Sequence, residues 1–336
     1  MPMRTQIGPL IVLKHETDSI QMLSSSSSSM SNSSSSSMSN SSSSSTQSPI
    51  SEEPVTRNWL DLPRDVTSTI LLKVGSIDIL NNAQRVCLQW RSMSYDPTMW
   101  HTIDMRNSYA PNDMEFDLEM MCRHAIDRSY GNLVDITLDY FGSDDLLTYV
   151  ADSTNHLRRM RLLSCWDISE EGMIEVAKKL PLLEELDITI SNLSKDALEA
   201  IGHCCPLLKS LKFNMQAFRD PHFDFDGEAF AIGQTMPNLR HLQLYGNKLT
   251  NDGVLAILDG CPHLESLDIR RCFNVNLGRS LGKRCAEEIK DFRNPDAPID
   301  DYEFDHKSDP ESFFYDYSSG ISDTVLCDVE DYLGLL

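Results

Sequence analysis

The sequence is short of basic residues and of long apolar runs. Against 51 Asp and Glu it sets 29 Lys and Arg, a formal charge of −22 over 336 residues. Duplex nucleic acid is a polyanion, so broad binding to it is excluded by sign, and an anionic membrane surface is disfavoured in the same way. No apolar run reaches the roughly 18 residues that a spanning helix needs, so no membrane partner is expected. The apolar patch from Ile7 to Leu13 is broken by Gly8 and Pro9 and lacks a small-residue cleavage site, which argues against a secretory signal. The nine cysteines form no C-x-x-C pair, so zinc-ribbon and dithiol redox chemistry are not expected. They read as free, mostly buried thiols in a reducing compartment, the nucleus or the cytoplasm. The chain is also expected to carry no Gly-rich phosphate loop, no nucleophile elbow and no zinc-protease helix. His203-Cys204-Cys205 hints at a thiol nucleophile, but it falls where a helix ends inside a repeat and reads as packing. No catalytic residue, metal ligand or cofactor is therefore expected.

What charge there is lies unevenly. Residues 291–336 carry 13 acidic and two basic side chains, half the net charge in 46 residues. This stretch mixes Asp and Glu with Phe304, Phe313, Phe314, Tyr315 and Tyr317, a composition of disordered interaction segments. At the other end, 19 of the 25 residues from Ser24 to Ser48 are serine. Such a segment buries too little apolar surface to offset the entropy of ordering it. The expected organisation is a disordered Ser-rich arm at 1–56, a helical module at 57–105, repeats at 106–295 and an acidic tail at 296–336.

The repeats rest on the pattern L-x-x-L-x-L. It recurs at Leu133-Ile136-Leu138, Leu157-Met160-Leu162, Leu183-Leu186-Ile188, Leu208-Leu211-Phe213, Leu239-Leu242-Leu244 and Leu264-Leu267-Ile269. Successive first positions are 24, 26, 25, 31 and 25 residues apart. Ahead of five of these anchors stands an apolar set at helical spacing, for example Met173-Val176-Ala177 and Val254-Ile257-Leu258. Pro181, Pro206, Pro237 and Pro262 stand two residues before four of the anchors, where a helix has ended and a strand has not begun. Each unit is thus one strand, a turn and one helix. A single unit cannot bury both its strand leucines and its helix stripe, so neighbours must stack into a parallel sheet backed by a row of helices. Cys205-Pro206-Leu207-Leu208, Cys261-Pro262-His263-Leu264 and Leu249-Thr250-Asn251-Asp252-Gly253 make this region resemble the cysteine-containing leucine-rich repeats that accompany F-boxes. Phe141, Ser191 and Gln216 depart from the Cys or Asn that this subclass prefers eight residues past the anchor.

Between Trp59 and Trp100 lie three short helices' worth of sequence. Asp61 precedes Leu62-Pro63; Leu62, Val66, Ile70 and Val74 follow at i+4; Gly75-Ser76 breaks the helix. Some 40 residues make a domain too small to be comfortable alone, so its apolar surface is expected to be an interface. The runs W-L-D-L-P-R-D-V, Asp78-Ile79-Leu80, Val86-Cys87, Trp90-Arg91 and Trp100 resemble the F-box. Together with the repeats, residues 57–295 resemble plant F-box/LRR-repeat proteins. The resemblance implies an α/β chain: a three-helix F-box followed by a right-handed leucine-rich-repeat solenoid, a horseshoe, with a disordered N-terminal arm and an acidic C-terminal tail.

The same resemblance implies partners. An F-box inserts between helices of a Skp-type adaptor held in turn by a cullin, and Leu62, Pro63, Ile70, Leu71, Ile79 and Leu80 would lie at that contact. The function implied is the substrate-recognition subunit of a Skp–cullin–F-box ubiquitin ligase, non-catalytic in itself. An F-box/LRR scaffold or regulatory binding protein outside the ligase is the alternative. The protein target itself is unknown; residues between the strand leucines point to the concave face and are the candidates for holding it: Arg159, Arg161, Glu185, Asp187, Lys212, His241, Tyr245, Asp268 and Arg270. Their sign alternates from row to row, which suits either a patterned protein surface or cross-strand ion pairs. The 31-residue spacing holds an insertion carrying Phe218, Phe223 and Phe225, aromatic anchors on a loop of a rigid scaffold.

Overall fold

The computed structural model describes residues 61–106, 117–215 and 226–302. The Ser-rich arm, most of the acidic tail and the insertion with Phe218, Phe223 and Phe225 lie outside the described residues. By contact the chain divides into two units, Met1–Pro295 and Asp296–Leu336. Among the described residues, the helices and strands all lie in the first.

It opens with α1 (Arg64–Val74), α2 (Ser76–Asn81) and α3 (Leu88–Ser94). Gly75, at φ 98°, makes the break between α1 and α2. The Cys87 sulfur accepts from the Trp90 N–H and caps α3. A 3-10 turn, Pro97–Trp100, is capped by Asp96. Behind it Trp100 is fully buried and donates its indole N–H to the Ser94 carbonyl at 2.9 Å.

From β1 (Thr102–Asp104) onward the chain is repetitive. It runs through α4 (Leu118–Ser129), β2 (Asp135–Asp139), α5 (Asp144–Ser153), β3 (Arg159–Leu163), α6 (Glu170–Ala177) and β4 (Glu185–Thr189). Then come α7 (Lys195–Cys204), β5 (Ser210–Asn214), α8 (Gly227–Thr235), β6 (His241–Gln243), α9 (Asn251–Gly260), β7 (Ser266–Asp268), α10 (Arg279–Glu288) and β8 (Asp291–Arg293). The eight strands form one sheet in sequence order, every neighbour parallel. Six strands answer the six L-x-x-L-x-L matches, and β8 forms where the pattern decays. β1 is the addition: it lies at the end of what reads in sequence as the F-box, and it pairs Ile103 with Ile136. The helical module is therefore joined to the sheet through its own last strand. Its core residues Leu71, Ile79, Trp90 and Trp100 are continuous with the repeat core.

Two devices lock one repeat to the next. After five of the eight strands, β2, β3, β4, β6 and β7, the chain turns through a left-handed residue: Tyr140, Ser164, Ile190, Gly246 and Arg271 all have positive φ. The N–H at each of these positions donates to a carbonyl of the following unit, as Ser164 does to Thr189 and Gly246 to Arg270. The second device is carboxylate capping between helices. Asp144 accepts from both the N–H and the hydroxyl of Ser169, itself the N-cap of α6. Glu170 accepts from the Ser194 and Ala197 N–H groups, and Asp226 from the N–H and hydroxyl of Thr250, each at 2.7 Å. An acid at one helix N-terminus thus satisfies the orphan donors of the next and meets the positive end of its dipole. This geometry explains two glycines. A Cβ on Gly172 would stand 2.0 Å from an Asp144 oxygen, and one on Gly253 2.3 Å from an Asp226 oxygen.

The cysteines serve packing. Cys165, Cys205, Cys261 and Cys272 point their sulfurs at carbonyls of the preceding repeat, Cys272 reaching Leu244 at 2.9 Å. Burial pushes the Cys122, Cys165, Cys205 and Cys261 thiols up to about 12, which removes them as nucleophiles at neutral pH.

Candidate functional site

Two surfaces carry the residues singled out by sequence. The first is α1. Its i+4 stripe lies at the surface, with Val66 exposed and Leu62, Ile70 and Val74 half-buried, while Thr67 and Leu71 face the core. Leu62 and Ile70 are half-buried and Pro63 is exposed. Leu71, Ile79 and Leu80 are not: at 0, 2 and 7 % exposure they hold the module together. The expectation that all six lie at a contact thus splits into three surface positions and three core positions. Three outward apolar side chains were not singled out: Val66, Leu72 and Leu88, at 40, 51 and 84 % exposure. Val66 was legible as a member of the i+4 stripe; nothing in the spacing marks Leu72 or Leu88.

The second surface is the concave face of the sheet. Here ion pairing takes much of the charge. Arg159 of β3 pairs with Asp135 of β2 at 2.8 Å, and Lys212 of β5 reaches Asp187 of β4 at 3.5 Å. Just ahead of the strands, Glu184 is bridged by Arg158 and Lys209, and Glu265 by Arg240 and Lys290. Hydrogen bonds from those bases hold both carboxyls below the usual range.

Four candidates for target contact are buried instead: Asp187, Tyr245 and Asp268 at 7 % exposure and Arg270 at 2 %. Asp268 accepts three bonds from the Arg270 guanidinium, 2.8 to 3.1 Å long. Asp187 accepts from the Thr189 hydroxyl, Thr189 accepts from the Asn214 amide, and the Asn214 oxygen accepts from the Tyr245 N–H. A polar ladder thus runs across β4, β5 and the segment just after β6. Tyr245 and Arg270 stand last in their rows, directly before the left-handed turns at Gly246 and Arg271, where the alternation of an extended chain lapses. Asp187 and Asp268 lie inside β4 and β7 and are held against the side chains that bind them, Thr189 and Lys212 for the first and Arg270 for the second. Glu185, His241 and Lys212 remain exposed and Arg161 half-buried.

Among the described residues no cluster of His, Cys, Asp and Glu is placed to hold a metal ion, and no described helix is long and apolar enough to cross a membrane. One motif departs from expectation: Gly278-Arg279-Ser280-Leu281-Gly282 does spell the G-x-S-x-G of a nucleophile elbow. An elbow needs a strand feeding the serine. Here β7 closes at Asp268 and a turn leads into α10, so the match is formal.

A small helical module joined by its last strand to a parallel sheet of repeats defines an F-box fused to leucine-rich repeats. Comparison with known proteins agrees. The F-box-like family profile matches residues 59–106, and a Leucine Rich repeat profile matches residues 235–258. The F-box protein SKIP19 of Arabidopsis thaliana is 48 % identical over 78 % of this chain and 84 % of its own length. Putative F-box/LRR-repeat protein 22 of the same plant is 42 % identical over 83 % and 93 %. Putative F-box/LRR-repeat protein 23 is 49 % identical over 73 % of this chain and 55 % of its own length. The chain belongs to the F-box/LRR-repeat protein family.

Proposed function

We propose that the chain is a substrate-recognition subunit of a Skp–cullin–F-box ubiquitin ligase, with α1 toward a Skp-type adaptor and the sheet toward a protein target. The observation that carries this reading is the outward apolar stripe of α1 on a module whose core is continuous with the repeats. An apolar helix face left outside a filled core asks for a partner, and a module sharing the repeats' core would hold that partner and the target in fixed relation. The chain would supply proximity, raising the effective concentration of target near a conjugating enzyme, with the chemistry left to other subunits. Its free, mostly buried cysteines suit a reducing compartment, the nucleus or cytoplasm.

The test is capture of a purified Skp-type adaptor by the full chain, followed by a blot for cullin. Replacing Val66 and Leu72 together by Asp should cut adaptor capture by about tenfold or more, as for loss of buried interface anchors, while the thermal transition stays put. Undiminished capture would remove α1 from the contact. Capture of adaptor without cullin would favour a scaffold acting outside the ligase.

A further inference from the structure

A cavity of about 470 Å³ opens between the helical module and α4. Its walls are Leu80 and Met121, the rings of Tyr95 and Tyr130, His124 and the Arg128 guanidinium. Arg128 is the feature that asks for a ligand. It is half-buried, its guanidinium carbon lies 4.2 Å from the Tyr95 ring centre and 5.6 Å from that of Trp100. Two of its nitrogens donate to neutral oxygens, the Ser94 carbonyl at 3.2 Å and the Gln84 side chain at 3.1 Å. Among the described residues it makes no ion pair, whereas neighbouring Arg123 pairs with Glu119 at 2.7 Å. Asp127 also lines the cavity, but its carboxylate accepts the Tyr149 hydroxyl.

A guanidinium has five donors and no acceptor. Holding one partly out of water without a counter-charge is costly, and the aromatic stack fixes its plane, ready for a forked acceptor. The stack and the bonds to Ser94 and Gln84 tie α4 to α3 and the turn before it. The remaining donors, the phenol rings and the two apolar side chains together match an acid beside an aromatic or aliphatic group. The volume falls in the range of small-ligand pockets, and Tyr130 stands 76 % exposed near its rim.

We propose that this cavity binds an acidic side chain, carboxylate or phosphate, of a protein segment that also carries an adjacent aromatic residue, with Arg128 as the anion's partner. The site shares no lining residue with α1 or with the concave-face strands, so it adds a third contact surface, and its test needs no adaptor.

The test uses the full chain and a fluorescent nonapeptide alternating aspartate with phenylalanine, read by polarisation. Saturable binding is expected, lost when asparagine replaces every aspartate. A third peptide with phosphoserine for aspartate distinguishes the two anions, tighter binding naming phosphate and weaker binding naming carboxylate. Arg128→Gln should weaken binding by about tenfold or more, the scale for a bond between charged groups. If that variant fails to fold, Tyr130→Asp, at an exposed position, places a like charge near the rim and should still weaken binding several-fold. No saturable binding to the unaltered chain overturns the proposal. So does binding that persists in the asparagine peptide, or that neither variant changes.

Discussion

The anchor leucines of the repeats and the apolar residues of the F-box helices are of the same types and meet different ends. Leu133, Leu157, Leu183, Leu208, Leu239 and Leu264 are all at 6 % exposure or less. In α1 the apparent stripe stays at the surface, Val66 exposed and the others half-buried, and the core is reached by Thr67 and Leu71. The difference lies in what supplies the partner surface. A repeat is buried by a copy of itself on either side, so one pattern fixes the direction of every side chain. The F-box has the sheet on one side only, and its other apolar face is left for something outside the chain.

That contrast breaks most sharply at two residues of similar size. Ile79, at 2 % exposure, sits in the shared core, and Leu72, at 51 %, sits on the outward face. Ile79→Ala should cost about 2–5 kcal/mol, as for other large-to-small core changes. Leu72→Ala should stay within about 0.5 kcal/mol. Urea unfolding of the two variants measures both. Equal losses would mean that α1 is packed from outside as well, and no loss at Ile79 would mean that the module is not part of the repeat core.

A second comparison, between one repeat and the next, is sharpened at Gly253. Its added Cβ would meet the Asp226 carboxylate that caps Thr250. Gly253→Ala should therefore cost about 1–3 kcal/mol, through crowding and a weakened cap, although alanine is the better helix former by about 1 kcal/mol. In an Asp226→Ala background the clash with the carboxylate is gone and only the tight contact with the Ala229 Cβ, at 3.0 Å, is left, so the same change should cost less. A cycle of the four proteins by thermal denaturation gives the coupling. Additive losses would show that the carboxylate is not what excludes a side chain there.

These residues also show how far the sequence could be read. Strand positions were legible because burial there has period two and the period recurs six times. The F-box was legible as a motif, from Leu62-Pro63 to Trp100, but motif positions do not say which side chains face out. Leu71, Ile79 and Leu80 share the motif with Leu62 and Ile70 and lie inside. On the concave face the rule of alternation reached Arg161 and Glu185 and failed at Tyr245 and Arg270, where the chain has left the strand. It also says nothing of partners, and Asp187 and Asp268, inside β4 and β7, are buried with theirs. The capping acids Asp144 and Asp226 were invisible for another reason: each acts on a residue 24 or 25 positions later, and only the stacked structure brings the two together.

The smallest effect separates a satisfied acid from an unsatisfied one. Asp226 and Glu228 are neighbours at the start of α8. The first accepts hydrogen bonds from the N–H and the hydroxyl of Thr250. The second is at 7 % exposure with an Oε2 that has no hydrogen-bond partner among the described residues. Burial raises the Glu228 carboxyl above its ordinary range, with Asp226 and Glu170 adding repulsion. The folded chain then holds this proton more tightly than the unfolded chain does. Stability contributed by the neutral acid is present below the unfolded value, near 4.3 for glutamate, and is lost as pH rises toward the folded value. Glu228→Gln keeps the shape and removes the charge, so it should raise the thermal midpoint at pH 7 and leave it nearly unchanged at pH 4 or below. For Glu184 the sign is opposite: its two basic partners lower its carboxyl, so its contribution is present at neutral pH and fades on acidification. Being partly exposed, that ion pair should also weaken with salt, whereas the gain at Glu228, set by burial, should persist. A Glu228→Gln variant no more stable at pH 7 than at pH 4, relative to the unaltered chain, would place a compensating partner at Oε2.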